Sequence, residues 1–295
     1  MTDYMVKALT ADGMFRLFAV DATQTIAEAQ KRHDTWSASS AALGRTLIAT
    51  GLLSASRLKN PRDMITVRVQ GDGPAGMIIA DGAADGTVRG YMANPHVHLP
   101  LNMVGKIDVA ATVGKNGLLS VTKYTDGEAP FTGQVPLISG ELGADFTYYL
   151  AKSEQIPASM GVSVFVNADN TIGVAGGFLV EALPGATDAA LAKLEANIKT
   201  LPLVSNMLRS GLTPEEILDR VVDGDKLMIL DQIDFAYKCP CNKAKFHNAI
   251  ATLKRADLKT MIEEDGGAEA VCRFCGKKYE FSGAELQRML DKQNK

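Results

Sequence analysis

Four cysteines are the residues in this chain best placed to do chemistry. They are Cys239, Cys241, Cys272 and Cys275, and the first 238 positions contain no other. They form two close pairs, Cys239-Pro240-Cys241 and Cys272-Arg273-Phe274-Cys275-Gly276, separated by thirty residues. Two such pairs are how a chain delivers four thiolates to one tetrahedral ion, at Zn–S distances of ~2.3 Å. The spacing therefore predicts one Zn²⁺ per chain, held by Cys239, Cys241, Cys272 and Cys275, in place of a disulfide framework. In the second pair Gly276 lets backbone amides approach the sulfurs, and the first pair is a tighter chelate. Four thiolates close the coordination shell, whereas catalytic zinc keeps an open position, so no hydrolytic role and no catalytic residue is expected. His247 could replace a ligand, but it reads as a surface residue of the intervening helix.

The residues alone leave open whether such a metal is a passive staple or a switch. Lys238, Lys243, Lys245, Arg273, Lys277 and Lys278 crowd the two pairs. Nearby cations favour the thiolate, which is the form that oxidants attack. On oxidation each pair can close on itself, and a disulfide binds zinc poorly. Structural zinc contributes an apparent ~10–16 kcal/mol to a small domain, so its loss should unfold the segment.

The other motifs carry less. Gly71-Asp72-Gly73-Pro74-Ala75-Gly76 matches G-x-G-x-x-G, yet Pro74 removes an amide and Met77-Ile78-Ile79 reads as strand; a β-turn is expected, not a dinucleotide site. His96 and His98 lie on one face of an extended segment without a third ligand. Ser153-Glu154 has no histidine partner and reads as a helix terminus. Phe274, Tyr279 and Phe281 are the only stacking candidates near the second pair if the segment bound nucleic acid.

The elements that position the cysteines follow from pattern. Asp12-Gly13 lies between two apolar runs and predicts a hairpin over Met5 to Ala22. From Ala22 to Leu58 the period is helical, with Ala41, Ala42, Arg45, Ile48, Ala49 and Leu52 at three- and four-residue steps. Strands are expected at residues 65–69, 77–79, 87–91, 118–124, 161–166 and 172–183, and a helix at 141–151. Residues 1–183 thus read as one α+β domain of mostly antiparallel sheet with packed helices. Pro184-Gly185 opens a helical linker, 184–232. There Asp188 to Thr200 is amphipathic, and Thr213, Pro214 and Glu216 spell a capping box. Residues 233–295 form a small zinc-binding domain with 12 Lys+Arg against 9 Asp+Glu, in a chain of net charge −3. Hydrophobic residues are 46% of the 295, enough for a sizeable core. The near-neutral balance gives no general attraction to nucleic acid or an anionic membrane. The longest apolar run, Leu47 to Ala55, is too short to span a bilayer. Met1-Thr2-Asp3-Tyr4 does not resemble a secretory leader, so a cytoplasmic protein is expected.

Together these residues resemble the 33 kDa chaperonin family, the redox-regulated heat-shock chaperones of bacteria. The Cys-x-Cys then Cys-x-x-Cys set is that family's hallmark. Matching segments run through the large domain: Gly44 to Thr50, Gly71 to Pro74, Val88 to Tyr91, Tyr149 to Gln155, and Ala175 to Phe178 before Leu183-Pro184. The resemblance extends from about residue 5 to about residue 285. One departure is Ser37-Ala38-Ser39, where members often carry a His-Pro-like pair. The resemblance implies an ATP-independent holdase of the stress response, not an enzyme, with one zinc bound when reduced. Oxidation would expel the metal and form Cys239–Cys241 and Cys272–Cys275 disulfides. The zinc segment and linker would then unfold and dimers form. Leu191, Leu194, Ile198, Leu203, Met207 and Leu212 would become available to unfolded client proteins, which an ATP-dependent foldase later receives. The competing readings are a zinc-ribbon nucleic-acid binder with structural zinc, and a thiol oxidoreductase.

Overall fold

The chain opens with a hairpin, β1 (Tyr4–Thr10) and β2 (Phe15–Asp21), whose turn needs the left-handed backbone that Gly13 supplies at φ 73°. The computed structural model describes residues 2–293. Two helices follow where one helical period was expected. α1 (Thr23–His33) ends at Asp34, which is left-handed at φ 50°, and α2 (Ser37–Arg57) starts after an extended Trp36. A non-glycine residue in that conformation is a stop that apolar spacing does not reveal.

Beyond α2 come β3 (Met64–Gln70), β4 (Met77–Ala83), β5 (Thr87–Met92), α3 (Val109–Val113), β6 (Leu118–Tyr124) and β7 (Phe131–Pro136). Next are α4 (Gly143–Lys152), β8 (Ala158–Val166), β9 (Ile172–Ala182), α5 (Asp188–Thr200), α6 (Val204–Arg209) and α7 (Pro214–Val222). Strands β10 (Leu227–Asp234) and β11 (Ala236–Tyr237) complete this part. One sheet has the order β10-β1-β2-β9-β8, and a second β11-β5-β4-β3-β6-β7. All pairings in them are antiparallel except that of β11 with β5.

Helix α2 is buried almost from end to end between these sheets. Such a helix cannot carry a polar face, and its sequence shows how it manages without one. Gly44 and Gly51 leave room for Ile26, Val164 and Phe235, which a β-carbon at either position would strike. The buried hydroxyls of Thr46, Thr50 and Ser54 donate to the carbonyls four residues back, at 2.7–2.8 Å, so none of these three lacks a partner.

The first sheet is apolar on both faces. Met5, Phe18 and Val20 face the core around α2, while Val6, Leu17, Ala19 and Val180 are covered by α6 and α7. The expected capping box is present: Thr213 Oγ1 accepts from the Glu216 amide at 3.3 Å, and Glu216 Oε2 accepts from the Thr213 amide at 2.8 Å.

The chain divides into two compact units, Met1–Lys238 and Cys239–Lys295. This differs from the boundaries at 183/184 and 232/233. The helices beyond Pro184 are part of the first unit's core, with Ile217, Leu218 and Val221 fully buried. The segment after residue 226 is sheet, paired with β1 and β5. Its partners lie far away in sequence, a signal that local pattern does not carry.

The second unit contains α8 (Lys243–Ala251), α9 (Arg255–Glu263), the hairpin β12 (Gly267–Val271) and β13 (Lys278–Ser282), and α10 (Gly283–Lys292). Its core is Leu258, Tyr279, Phe281, Leu286, Met289 and Leu290. The whole is α+β, with a large sheet-rich unit and a small cysteine-bearing one. Among the described residues no helix is long and apolar enough to cross a membrane.

Candidate metal centre

Cys239 and Cys241 sit on the loop that leads into α8, where Asn242 caps the helix by accepting from the Lys245 amide at 2.9 Å. Cys272 and Cys275 occupy the tip of the β12–β13 hairpin. There the Cys272 carbonyl accepts from the Cys275 and Gly276 amides at 3.3 and 2.8 Å, and the Cys272 amide donates to the Lys277 carbonyl at 2.9 Å. Gly276 turns the chain at φ 71°, a conformation costly for any residue with a β-carbon.

All four sulfurs lie within 4.8 Å of one another. Cys239 Sγ is 3.7 Å from Cys272 Sγ, and Cys241 Sγ is 3.3 Å from Cys275 Sγ. No disulfide joins any of them. A tetrahedral Zn–thiolate site has sulfur–sulfur edges of ~3.8 Å; the two separations lie within about half an ångström of that, on the short side. Four sulfur donors with that spacing and no carboxylate among them fit zinc. Cys272 is buried and the other three half-buried.

The sulfurs are not equivalent. Burial pushes the Cys241 thiol up, but hydrogen bonds from Tyr279 and the neighbouring sulfurs outweigh it and hold the group at about 7. Burial raises Cys272, and it raises Cys275 to about 12 with the adjacent sulfurs adding to the shift. The cluster thus contains one easily ionised thiol beside harder ones.

Tyr279 is the residue that spacing did not identify. It is expected as a stacking platform, yet its hydroxyl donates to Cys241 Sγ at 3.2 Å, and its ring stacks on Phe246 at 4.9 Å. Tyr279 and Phe281 are both buried in the unit's core, so neither presents a face on which a base could stack. The expected ring of cations is also partly spent. Lys243 Nζ pairs with Glu285 at 2.8 Å and Lys278 Nζ with Glu269 at 3.1 Å. His247 lies on α8, half-buried, outside the sulfur cluster, with Nδ1 3.4 Å from Asn248 Oδ1.

The remaining motifs resolve into structure. Gly71 and Gly73 bring their turn against the backbone of residues 112–114, where a β-carbon would collide, and β4 follows instead of a helix. His96 Nε2 pairs with Asp34 at 3.0 Å, and His98 Nδ1 with Ser37 Oγ at 2.8 Å, so the two rings have separate partners. Ser39 Oγ donates to the Asn94 carbonyl at 3.0 Å and accepts from the Val97 amide at 3.2 Å. Ser37 and Ser39 therefore tie the start of α2 to the loop at 94–98. Ser153 ends α4, and Glu154 accepts from Tyr149 and pairs with Arg57.

Fold and site define a class: a sheet-rich α+β unit followed by a small module whose four cysteines converge. A model of the Hsp33 protein family matches residues 3–282. The 33 kDa chaperonin of Lacticaseibacillus casei strain BL23 is 62% identical over 290 residues, 98% of this chain and 99% of that protein. That of Listeria monocytogenes serotype 4b is 53% identical over 293 residues, 99% of each chain. The crystal structure of the 33 kDa chaperonin of Thermotoga maritima, a heat shock protein 33 homologue, superposes with a TM-score of 0.92 at 33% identity, covering 100% of this chain and 99% of that one. The chain belongs to the Hsp33 family of chaperones, which is not an enzyme class.

Proposed function

We propose that this chain is a redox-regulated, ATP-independent holdase of the cytoplasm, silent while reduced and zinc-bound and active once its cysteines are oxidised. The observation that carries this is the convergence of all four cysteines within 4.8 Å in a unit with only a small core of its own. Bound zinc would supply the cohesion that this core lacks, with Cys239, Cys241, Cys272 and Cys275 as ligands. Coordination would hold all four as thiolates, the form that oxidants attack. Each pair then loses two electrons as its S–S bond forms. Hypochlorous acid taking them leaves as chloride and hydroxide, the hydroxide collecting any thiol proton.

The pairing proposed is Cys239–Cys241 and Cys272–Cys275. In the reduced cluster Cys239 lies close to Cys272 and Cys241 close to Cys275, across the pairs, so proximity there does not by itself select it. Once the unit loosens, closing a loop of one or two residues costs less entropy than closing one of thirty. The unfolded unit, with dimer formation, would supply surface for non-native clients until reduction and transfer to an ATP-dependent foldase. Within the first unit, α5 is the helix most easily freed. None of its residues is fully buried, whereas Ile217, Leu218 and Val221 of α7 are. Leu191, Leu194 and Ile198 are therefore the first apolar groups expected to become available.

The test couples metal release to activity. Reduced protein in a chromogenic zinc chelator is treated with hypochlorous acid while light scattering follows aggregation of a heat-denatured client. One zinc released per chain, with suppression that reductant reverses, supports the switch. Release without suppression reduces the metal to a structural staple.

A further inference from the structure

The first unit contains a half-open cavity of about 880 Å³ that the chaperone reading does not use. Its volume falls in the ~300–1,000 Å³ range of small-molecule sites. Its walls come from the start of α2, the loop after His98, β8 and α6. Leu101, Ile107, Val164, Phe165 and Leu203 make the surface predominantly apolar.

The charges in it have one sign. Arg45, Lys106 and Arg209 line the cavity, and no aspartate or glutamate does, although acidic residues outnumber basic ones in the chain, 34 to 31. Lys106 and Arg209 have no carboxylate partner among the described residues. The Arg209 guanidinium instead lies 4.2 Å from the centre of the Phe165 ring. Arg45 uses Nη1 on Glu141 at 2.5 Å, while its Nε is buried with no hydrogen-bond partner. A buried N–H without an acceptor is rare, because it forfeits water for nothing. The buried Oδ1 of Asn170, also on the cavity wall, lacks a partner too; a water bridging to a bound anion can donate to it.

We propose that this cavity binds a small apolar carboxylate, its hydrocarbon body against Phe165, Ile107 and Leu203 and its head group among Arg45, Lys106 and Arg209. An apolar wall alone would take any hydrophobe; cations of one sign along its wall, with no carboxylate among them, select the anion. The cysteines all lie in the other unit, so the site is independent of the redox reading and fails or stands separately from it.

Trp36, the single tryptophan, lines the cavity and reports on it. Full-length reduced protein is titrated with decanoate below its micellar concentration, and with decan-1-ol and decyltrimethylammonium as neutral and cationic counterparts. A saturable, one-to-one change in Trp36 emission is expected with decanoate, and binding about ten-fold weaker or absent with the other two, the scale of one lost charge-assisted hydrogen bond. Arg209→Gln and Lys106→Gln, both on exposed side chains, should each weaken decanoate about ten-fold by the same reasoning, with unchanged thermal melting. Equal affinity for decanoate and decan-1-ol, a non-saturating signal, or undiminished affinity in both variants would overturn the proposal.

Discussion

The two units solve the problem of stability in opposite ways. In the first, α2 is enclosed by two sheets, its glycines admit neighbours and its hydroxyls are satisfied internally. In the second, six buried side chains form the core, with Cys241 packed against its edge. A core in so small a unit rarely supplies more than ~3–5 kcal/mol, against an apparent ~10–16 kcal/mol from structural zinc. On the function proposed above, the first unit would be held by packing and the second by a metal–thiolate bond that oxidation can remove. Such a difference would let one unit unfold on a signal while the other stays folded.

The strongest way to break that comparison is to take the metal away. Stripping it from reduced protein with a chelator should abolish amide-exchange protection in α8–α10 and leave it in α2 and β9. The expected loss is of the order of the ~10–16 kcal/mol cited for such sites, and protection surviving in α10 would refute it.

A next test attacks the packed unit at a buried charge cluster. Glu181, 1% exposed, pairs with Arg57 at 2.7 Å and Arg16 at 2.6 Å. Glu181→Gln leaves Arg16 without a carboxylate and Arg57 with Glu154 alone, and should cost about 3–5 kcal/mol in urea unfolding of the first unit. Burial alone would raise this carboxyl, but Arg57, Ser56 and Arg16 hold it below its ordinary 4.5. A depressed folded value means the contribution is complete above pH 4.5 and is lost as pH falls through and below it. Wild-type stability should therefore drop faster than that of Glu181→Gln in acid.

Packing within the first unit can be graded by a pair of truncations. Leu218→Ala in α7, at a fully buried site, should cost about 2–5 kcal/mol. Leu191→Ala in α5, only partly buried, should cost about 1 kcal/mol or less. Equal losses in chemical denaturation would remove the distinction on which early release of α5 rests.

The smallest effect expected is at Tyr279. Tyr279→Phe removes the hydrogen bond to Cys241, and with it about 1 kcal/mol of support for the thiolate. Zinc should then pass from the reduced protein to a competing chelator about five-fold faster, the rate equivalent of that hydrogen bond. An unchanged rate would mean that the other contacts around Cys241 alone set the hold on the metal.

Local chemistry was legible in the sequence and distant pairing was not. The capping box at Thr213 and Glu216 and the bounds of α5 follow from side chains within a few residues of each other. The cysteine cluster follows from spacing, because few arrangements other than a metal site require two such pairs. The break at Asp34, the strand β7 and the short helix α6 have no comparable signature. β10 and β11 carry no local signature either, because their partners, β1 and β5, lie far back in the chain. The cavity drew on no motif, being assembled from the surfaces of four separate elements.

The order of the first sheet has a consequence for synthesis. β1 lies inside that sheet, between β2 and β10, and its partner on one side begins at Leu227. At ~5–20 residues per second, roughly 10–45 s pass on the ribosome between completion of the first strand and emergence of the one that covers its edge. For that interval the nascent chain presents an open backbone ladder of the kind that invites misplaced pairing. Folding of the larger unit is thus a late event, completed only when nearly four-fifths of the polypeptide exists.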